Sequence, residues 1–281
     1  MSLHPLFTRF ESIVEAPGNI QSLRKLAIIL AVSGRLSKDE RNRILQNGTK
    51  LRIAPAKQIL KEGKRSRLAE ANPIQESELP GGFNSTDGFV RLADVAKLEK
   101  GPTAIQQANP GDYPLVTTAE ARSFCDHFDF DGRAAIIPLV SSTGHGNAAL
   151  KRLHYQEGKF ALGNILCSAI PISEGIVTAR FIFEYLTAFK EELLVSRMTG
   201  TANVTLTVGR IREIPIPIIS PEIQESLDSF MTLCDRLEAA QRERESRRDR
   251  LAASIRVVAS RPYSHARLGA ARRSAWLCDS A

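Results

Sequence analysis

Hydrophobic positions along this chain follow three different rhythms, and the changes between them divide it. From Asn19 the apolar residues Ile20, Leu23, Ala27 and Leu30 recur at steps of three and four, which predicts one buried helix face. Pro17 and Gly18 break the chain ahead of that face, and Asn19 can cap it by accepting a backbone N–H. Gly34 is a natural stop, since glycine tolerates the left-handed turn that ends helices. The rhythm is then lost. Residues 37–79 carry 10 basic residues and no sustained apolar period. A short helix over 54–62 ending at Gly63, followed by exposed linker, fits that stretch.

Alternating and short apolar runs take over near Leu79-Pro80-Gly81-Gly82-Phe83. Phe89–Val95 predicts a strand, or a strand turning into a helix. Ala134–Val140 predicts a buried strand with Pro138 near an edge or bulge. Residues 150–155 and 160–165 flank Glu157-Gly158 and predict a hairpin. Ala179–Val195 predicts an amphipathic helix with Phe181, Ile182, Tyr185, Leu186 and Phe189 on one side. Ile214-Pro215-Ile216-Pro217-Ile218 must be extended, because each proline disfavours helix for its predecessor.

After Pro221 the step becomes four, three, four, three through Ile223, Leu227, Phe230, Cys234 and Leu237. The register continues through Gln241, Arg244 and Arg248 to Leu251 and Ile255. Such a heptad keeps one seam facing a partner helix. The simpler alternative is a single helix lying on its own domain. Polar residues in the middle third weaken the seam or fix its register. Beyond Ile255 an Arg/Ala/Ser-rich stretch without period predicts disorder.

Composition narrows the function. The chain has 281 residues, 43% of them hydrophobic, enough for a sizeable core. Its net charge of +7 suggests a polyanion, but the charge lies at the two ends. Residues 80–240 hold 14 basic and 19 acidic side chains, so any contact with nucleic acid there rests on local patches. Four scattered cysteines without a C-x-x-C pair argue against a zinc site or a disulfide framework. The absence of a long apolar run and of a signal pattern predicts a cytoplasmic protein away from membranes.

The catalytic inventory is thin. Neither a phosphate-binding G-x-x-x-x-G-K-[ST] loop nor a G-x-G-x-x-G fingerprint is present, and the five histidines form no metal-ligand spacing. No cofactor is expected. One alternative survives: Asp131 ahead of Glu157-Gly158-Lys159 could hold a hard cation beside a phosphate-polarising lysine, as in a metal-dependent nuclease. A second alternative is a coiled-coil scaffold with no nucleic-acid role.

The candidate binding chemistry is polar. Ser141, Ser142, Thr143, Gly144, His145, Gly146 and Asn147 combine bare backbone N–H groups with short polar arms, which suits phosphate oxygens and base edges. A plain polar turn accounts for them equally. Lys151 and Arg152 follow, and could supply charge for phosphates. Thr103, Gln106, Thr118, Thr201 and Asn203 are similar in kind and less specific.

Several segments in order resemble the specificity subunit of type I restriction-modification systems, from about residue 5 to 254. Glu15-Ala16-Pro17, Leu23-Arg24-Lys25-Leu26 and residues 30–36 are similar to a conserved helical region of that family. Leu79–Phe83, residues 90–95 and Gly101-Pro102-Thr103 look like the opening of a target recognition domain. Ile214-Pro215-Ile216-Pro217 followed by Pro221-Glu222-Ile223-Gln224 resembles its close and the start of a long helix. The resemblance implies an α+β fold: one mixed recognition domain over 80–220, a helical region and linker over 1–79, a long coiled-coil helix over 221–256, and an aberrant or disordered tail over 257–281. It implies a sequence-specific subunit for double-stranded DNA without catalysis of its own. Methyltransferase (modification) subunits, restriction subunits held through them, and a second copy of the chain are the implied partners. The family's full subunit has two recognition domains, and this chain has room for one.

Overall fold

The structure, a computed structural model, describes residues 19–32, 73–143, 146–201 and 203–259. The expectations for residues 1–18, 33–72 and 260–281, including the Gly34 stop, the 54–62 helix and most of the tail, lie outside the described residues, whereas residues 257–259, expected in the disordered tail, still belong to the last helix. Two compact units divide at Cys234.

The first unit is built on a six-stranded mixed sheet. In chain order the strands are β1 (Phe89–Arg91), β2 (Ala96–Lys100), β3 (Tyr113–Val116), β4 (Ser123–Cys125), β5 (Phe130–Pro138), β6 (His154–Leu162), β7 (Leu166–Pro171) and β8 (Pro215–Pro217). The large sheet has the order β2-β7-β5-β6-β3-β4, and β1 and β8 form a separate two-stranded ribbon. Among the described strands, β3 and β6 pair in parallel and the other pairs are antiparallel. β8 carries two prolines and tolerates them because it pairs with β1 alone.

β5 carries the architecture. Its first residues pair with β6 and its last with β7, and Ala135 and Ile136 pair with both. From Ala134 onward it is buried on both faces, so its sequence reads as a continuous apolar run. Ala134 and Ile136 join Val116, Phe160, Leu162 and Leu166 on one side. Ala135, Ile137 and Leu139 enter the main core on the other. That core is filled by helix α3 (Ala179–Ala188), whose Phe181, Ile182, Tyr185 and Leu186 are buried. The Tyr185 hydroxyl donates to the Pro215 carbonyl at 3.1 Å, satisfying the polar end of a buried ring. Among the described residues the other helices are α1 (Asn19–Val32), α2 (Leu92–Val95), α4 (Lys190–Leu193), α5 (Val208–Arg212) and α6 (Pro221–Ala259).

Several expectations are corrected. Glu157-Gly158 is no hairpin turn: β6 runs straight through it. Gly158 sits opposite Gly132, both with positive φ (76° and 142°), and a Cβ on either would meet nothing within 4 Å. Positive φ at two paired positions therefore favours glycine there, and a glycine inside a strand reads as a turn in the sequence. Pro138 ends an interior strand rather than lying on an edge. The 179–195 helix stops at Phe189, whose ring is held against Phe83 and Tyr185, before the separate turn of α4. The buried face of α1 is Ile20, Arg24, Ile28 and Ala31, rotated from the predicted one. Arg24 turns inward because it has a partner there: Glu184 of α3 at 3.6 Å, with the Met231 sulfur at 3.7 Å.

The long helix is present as predicted, but the start of its seam serves the domain itself. Leu227 and Met231 belong to the main core, Ile223 and Phe230 pack against it, and Cys234 is buried. Gln224 is buried too, accepting from Thr178 N and donating to the Ile176 and Ile219 carbonyls. The seam steps that face a partner in the sequence reading thus lie on the domain as far as Cys234. The described part of the second unit is the rest of α6, on which Leu251 and Ile255 are 63% and 66% exposed. Among the described residues no helix is long and apolar enough to cross a membrane.

Candidate nucleic-acid interface

Polar loops at the ends of β3, β5 and β6 hold nearly all the residues singled out above, in three groups. In the first, the chain leaves β5 and folds back on the Ser141 hydroxyl. Ser141 Oγ donates to the Asn147 carbonyl at 2.6 Å and accepts from Ala149 N at 3.1 Å. Thr143 Oγ1 donates to the same Asn147 carbonyl, and Ser142 Oγ to that of Ala149. These three hydroxyls therefore shape the loop, while the Asn147 side chain is exposed. Gly144 and His145 lie outside the described residues. Gly146 has φ +77°, and a Cβ there would stand 2.3 Å from the Thr201 carbonyl, so the 199–205 segment abuts this loop. Thr201 and Asn203 are exposed on that segment.

The second group joins residues 117–122 to the start of β6. Arg122 donates to Gln156 Oε1 at 2.9 Å, to the Tyr155 carbonyl, and to His154 Nδ1 at 3.2 Å. Arg152 pairs with Glu120 at 2.6 Å, which offsets its charge, whereas Lys151 is exposed. Thr118, also exposed, belongs here. Burial pushes the His154 imidazole down to about 4, with the Arg122 and Arg152 cations adding to the effect against the Thr118 backbone and Glu120. His154 is therefore neutral near pH 7.

Thr103 belongs to a third group that the sequence reading missed. Its hydroxyl donates to Asp129 Oδ2 at 2.7 Å and lies 3.0 Å from His127 Nε2, while His127 Nδ1 is 2.8 Å from Asp126 Oδ1. Asp129 also accepts from Leu162 N, and Asn109 donates to Asp126. Because the single Thr103 proton goes to Asp129, the imidazole satisfies both neighbours best as a cation. The hydrogen bond to Asp126, and the nearby Asp129 charge, raise the His127 pKa despite some burial. Gln106 is exposed on the 3-10 turn Ile105–Gln107 beside this group. The signal in the sequence was the run Asp126-His127-Phe128-Asp129 ahead of β5; for Arg122 there was none.

A titration of His127 by NMR is expected to give a midpoint above the ordinary imidazole value of 6.5, and Asp126→Asn to bring it down. Because the folded pKa is raised, the imidazolium stabilises fully below the unfolded pKa, and that contribution is lost as pH rises through the folded one. An unshifted midpoint in the unmodified protein would refute the network.

Asp131, Glu157 and Lys159 lie on one exposed face of the β5–β6 ladder, Asp131 opposite Lys159 and Arg133 opposite Glu157. Glu157 accepts from the Tyr155 hydroxyl and pairs with Arg133 at 3.6 Å; Lys159 sits 4.8 Å from the Phe128 ring. This is a cross-strand charge ladder. Among the described residues no three His, Cys, Asp or Glu side chains converge to hold a metal ion, so the geometry gives the nuclease alternative no support.

The family model for the type I restriction modification DNA specificity domain matches residues 84–245, more than half of the chain. The chain belongs to that family. Three solved structures are similar at low identity. The S subunit of a type I restriction-modification system from M. genitalium shares 16% identity, covering 54% of this chain and 40% of that one (TM-score 0.42). The HsdS subunit from Thermoanaerobacter tengcongensis shares 18%, covering 84% and 56% (TM-score 0.42). A chain from a structure of type I system assembly and conformational transition shares 18%, covering 85% and 58% (TM-score 0.38). The type I specificity chain described here thus spans 40% to 58% of the length of those it resembles. No curated protein matches it.

Proposed function

We propose that this chain recognises a double-stranded DNA sequence for a type I restriction-modification assembly, and leaves methyl transfer and cleavage to partner subunits. The observation that carries this is the family match over 84–245, which spans the sheet, its polar loops and the first part of α6. The recognition domain is residues 80–220. Asn147, His145, Thr201 and Asn203 face base edges, Lys151 faces a phosphate, and Ser141, Ser142 and Thr143 keep the loop in shape. Arg152 and Thr118 flank it, and Thr103 with Gln106 stands as a further contact region. Residues 1–79 and α6 form the helical frame that methyltransferase subunits dock on, and through them restriction subunits. Coiled-coil pairing of α6, with another helix or a second copy of the chain, uses its course from Leu237 through Leu251 and Ile255, since Leu227 and Cys234 are buried on the domain. Residues 257–281 have no role in this reading, and a cytoplasmic setting follows from the DNA target.

The test is selection from a randomised DNA pool, at two salt concentrations, by the full chain assembled with methyltransferase subunits. Lys151→Ala is expected to weaken binding to all sequences and to lower the salt slope by about one unit. Arg152→Ala should lower it less, because Glu120 already holds that charge. Asn147→Ala should cost on the order of 1–3 kcal/mol and relax preference at one position. An unmodified complex that selects no sequence sinks the proposal.

A further inference from the structure

We infer that the 199–205 hairpin is a second reading element, locked in register with the 141–149 loop, and that Arg210 is the residue that positions it. The inference rests on the DNA-reading role just proposed, in which Thr201 and Asn203 face base edges, and adds what holds them in register and which residue positions them.

The lock is made of backbone. Thr199 and Thr205 exchange both hydrogen bonds, at 2.9 and 2.8 Å, which closes the hairpin. Its return side continues the ladder of β5: Val140 bridges Thr205, Ser141 N donates to Val204 O at 3.0 Å, and Leu206 N to Leu139 O at 2.8 Å. Val204 and Leu206 are buried, so the roots of the hairpin are in the core while Thr201 and Asn203 stand in solvent. Gly200, with φ +131°, makes the tight reversal; a Cβ there would lie 2.2 Å from the Asn203 carbonyl. The close approach of Gly146 to Thr201 sets this segment side by side with the 141–149 loop.

Arg210 fixes the outer side. One guanidinium nitrogen donates to Thr199 Oγ1 and to the Arg197 carbonyl, both at 2.7 Å. Its own backbone N–H donates to Thr207 Oγ1, the cap of α5. Arg210 therefore ties the hairpin to a helix start, with a side chain directed at protein oxygens rather than outward.

The chemistry presented is a hydroxyl and a carboxamide, and an Asn side chain pairs well with adenine N6 and N7 in the major groove. Two loops in backbone contact address neighbouring base pairs, since pairs stack every ~3.4 Å. Thr201→Val and Asn203→Ala, both at exposed positions, should therefore relax preference within about two base pairs of the position relaxed by Asn147→Ala.

The experiment is the pool selection above, with Asn147→Ala, Thr201→Val, Asn203→Ala, Arg210→Ala and Arg210→Lys, each checked for its melting temperature. Arg210→Ala should broaden preference at the hairpin's positions with the salt slope unchanged, and Arg210→Lys, which can reach one acceptor, should broaden it less. A slope lowered by about one unit in Arg210→Ala would make it a phosphate contact and overturn its positioning role. If Asn147→Ala changes the selected sequence while Thr201→Val and Asn203→Ala do not, the hairpin is no reader, and DNA recognition by the first loop stands. If the unmodified complex selects nothing, both readings fall.

Discussion

Leu227→Asp is expected to unfold the first unit rather than merely detach a partner. Leu227 is 5% exposed and packs in the main core with the fully buried Met231 one turn away. Removing a buried leucine costs about 2–5 kcal/mol, and a carboxylate forced into its place adds several more unless it is protonated. A domain of this size has only about 5–15 kcal/mol in total. Circular dichroism on the full chain should show loss of the cooperative melt, or a drop of well over ten degrees. Leu251→Asp and Ile255→Asp are the contrast. Both positions are exposed on the second unit's helix, so the melt of the first unit should not move while any helix partner is lost. If Leu227→Asp melts like the unmodified chain, the seam does not belong to the domain.

Acidification should destabilise the protein through His154 before its carboxylates matter. The folded imidazole titrates at about 4 against an ordinary 6.5, chiefly because it is buried. A histidine with a depressed folded pKa leaves the unfolded state holding more protons between those values. Its native contribution is complete above 6.5 and is lost as pH falls towards 4. The difference is on the order of 3 kcal/mol. Urea unfolding at pH 7 and pH 4 measures it, and His154→Gln, which keeps a hydrogen-bonding side chain beside Arg122 without a titrating ring, should flatten the dependence by about that amount. Equal pH dependence in the two proteins would rule out His154 as its source.

What could be read from the sequence, and what could not, separates by the range of the interactions involved. The extended Ile214–Ile218 segment follows from proline sterics, and β5 from a run of apolar residues, both local causes. The aromatic face of α3 follows from its period. Arg24 defeats the same reasoning, since its burial depends on Glu184, 160 residues away in the chain. Gly158 looks like a turn because its true reason, a positive φ opposite that of Gly132 in the same ladder, is a pairing that periodicity cannot see. The heptad of α6 reads as one continuous seam, although Leu227 and Cys234 on it are buried in the domain while Leu251 and Ile255 are exposed. Within the candidate site, Ser141–Asn147 was visible as composition, but the inward use of its hydroxyls was not. The Thr103–His127–Asp129 network joins two separate loops, of which the sequence shows only the Asp126–Asp129 run, and Arg122 reaches His154 from the segment ahead of β4, a pairing that no spacing encodes.

The manner in which the 141–149 loop is tied has a consequence for how such a molecule changes its preference over generations. Its fixed points are main-chain atoms of residues 139–142, 147, 149 and 204–206, together with the hydroxyls of Ser141, Ser142 and Thr143. None of those ties consults the side chains of Asn147, Thr201 or Asn203. Point changes at these three positions leave the scaffold's folding information intact, so, on the reading role proposed for them, drift explores new targets one letter at a time without first passing through a poorly folded ancestor.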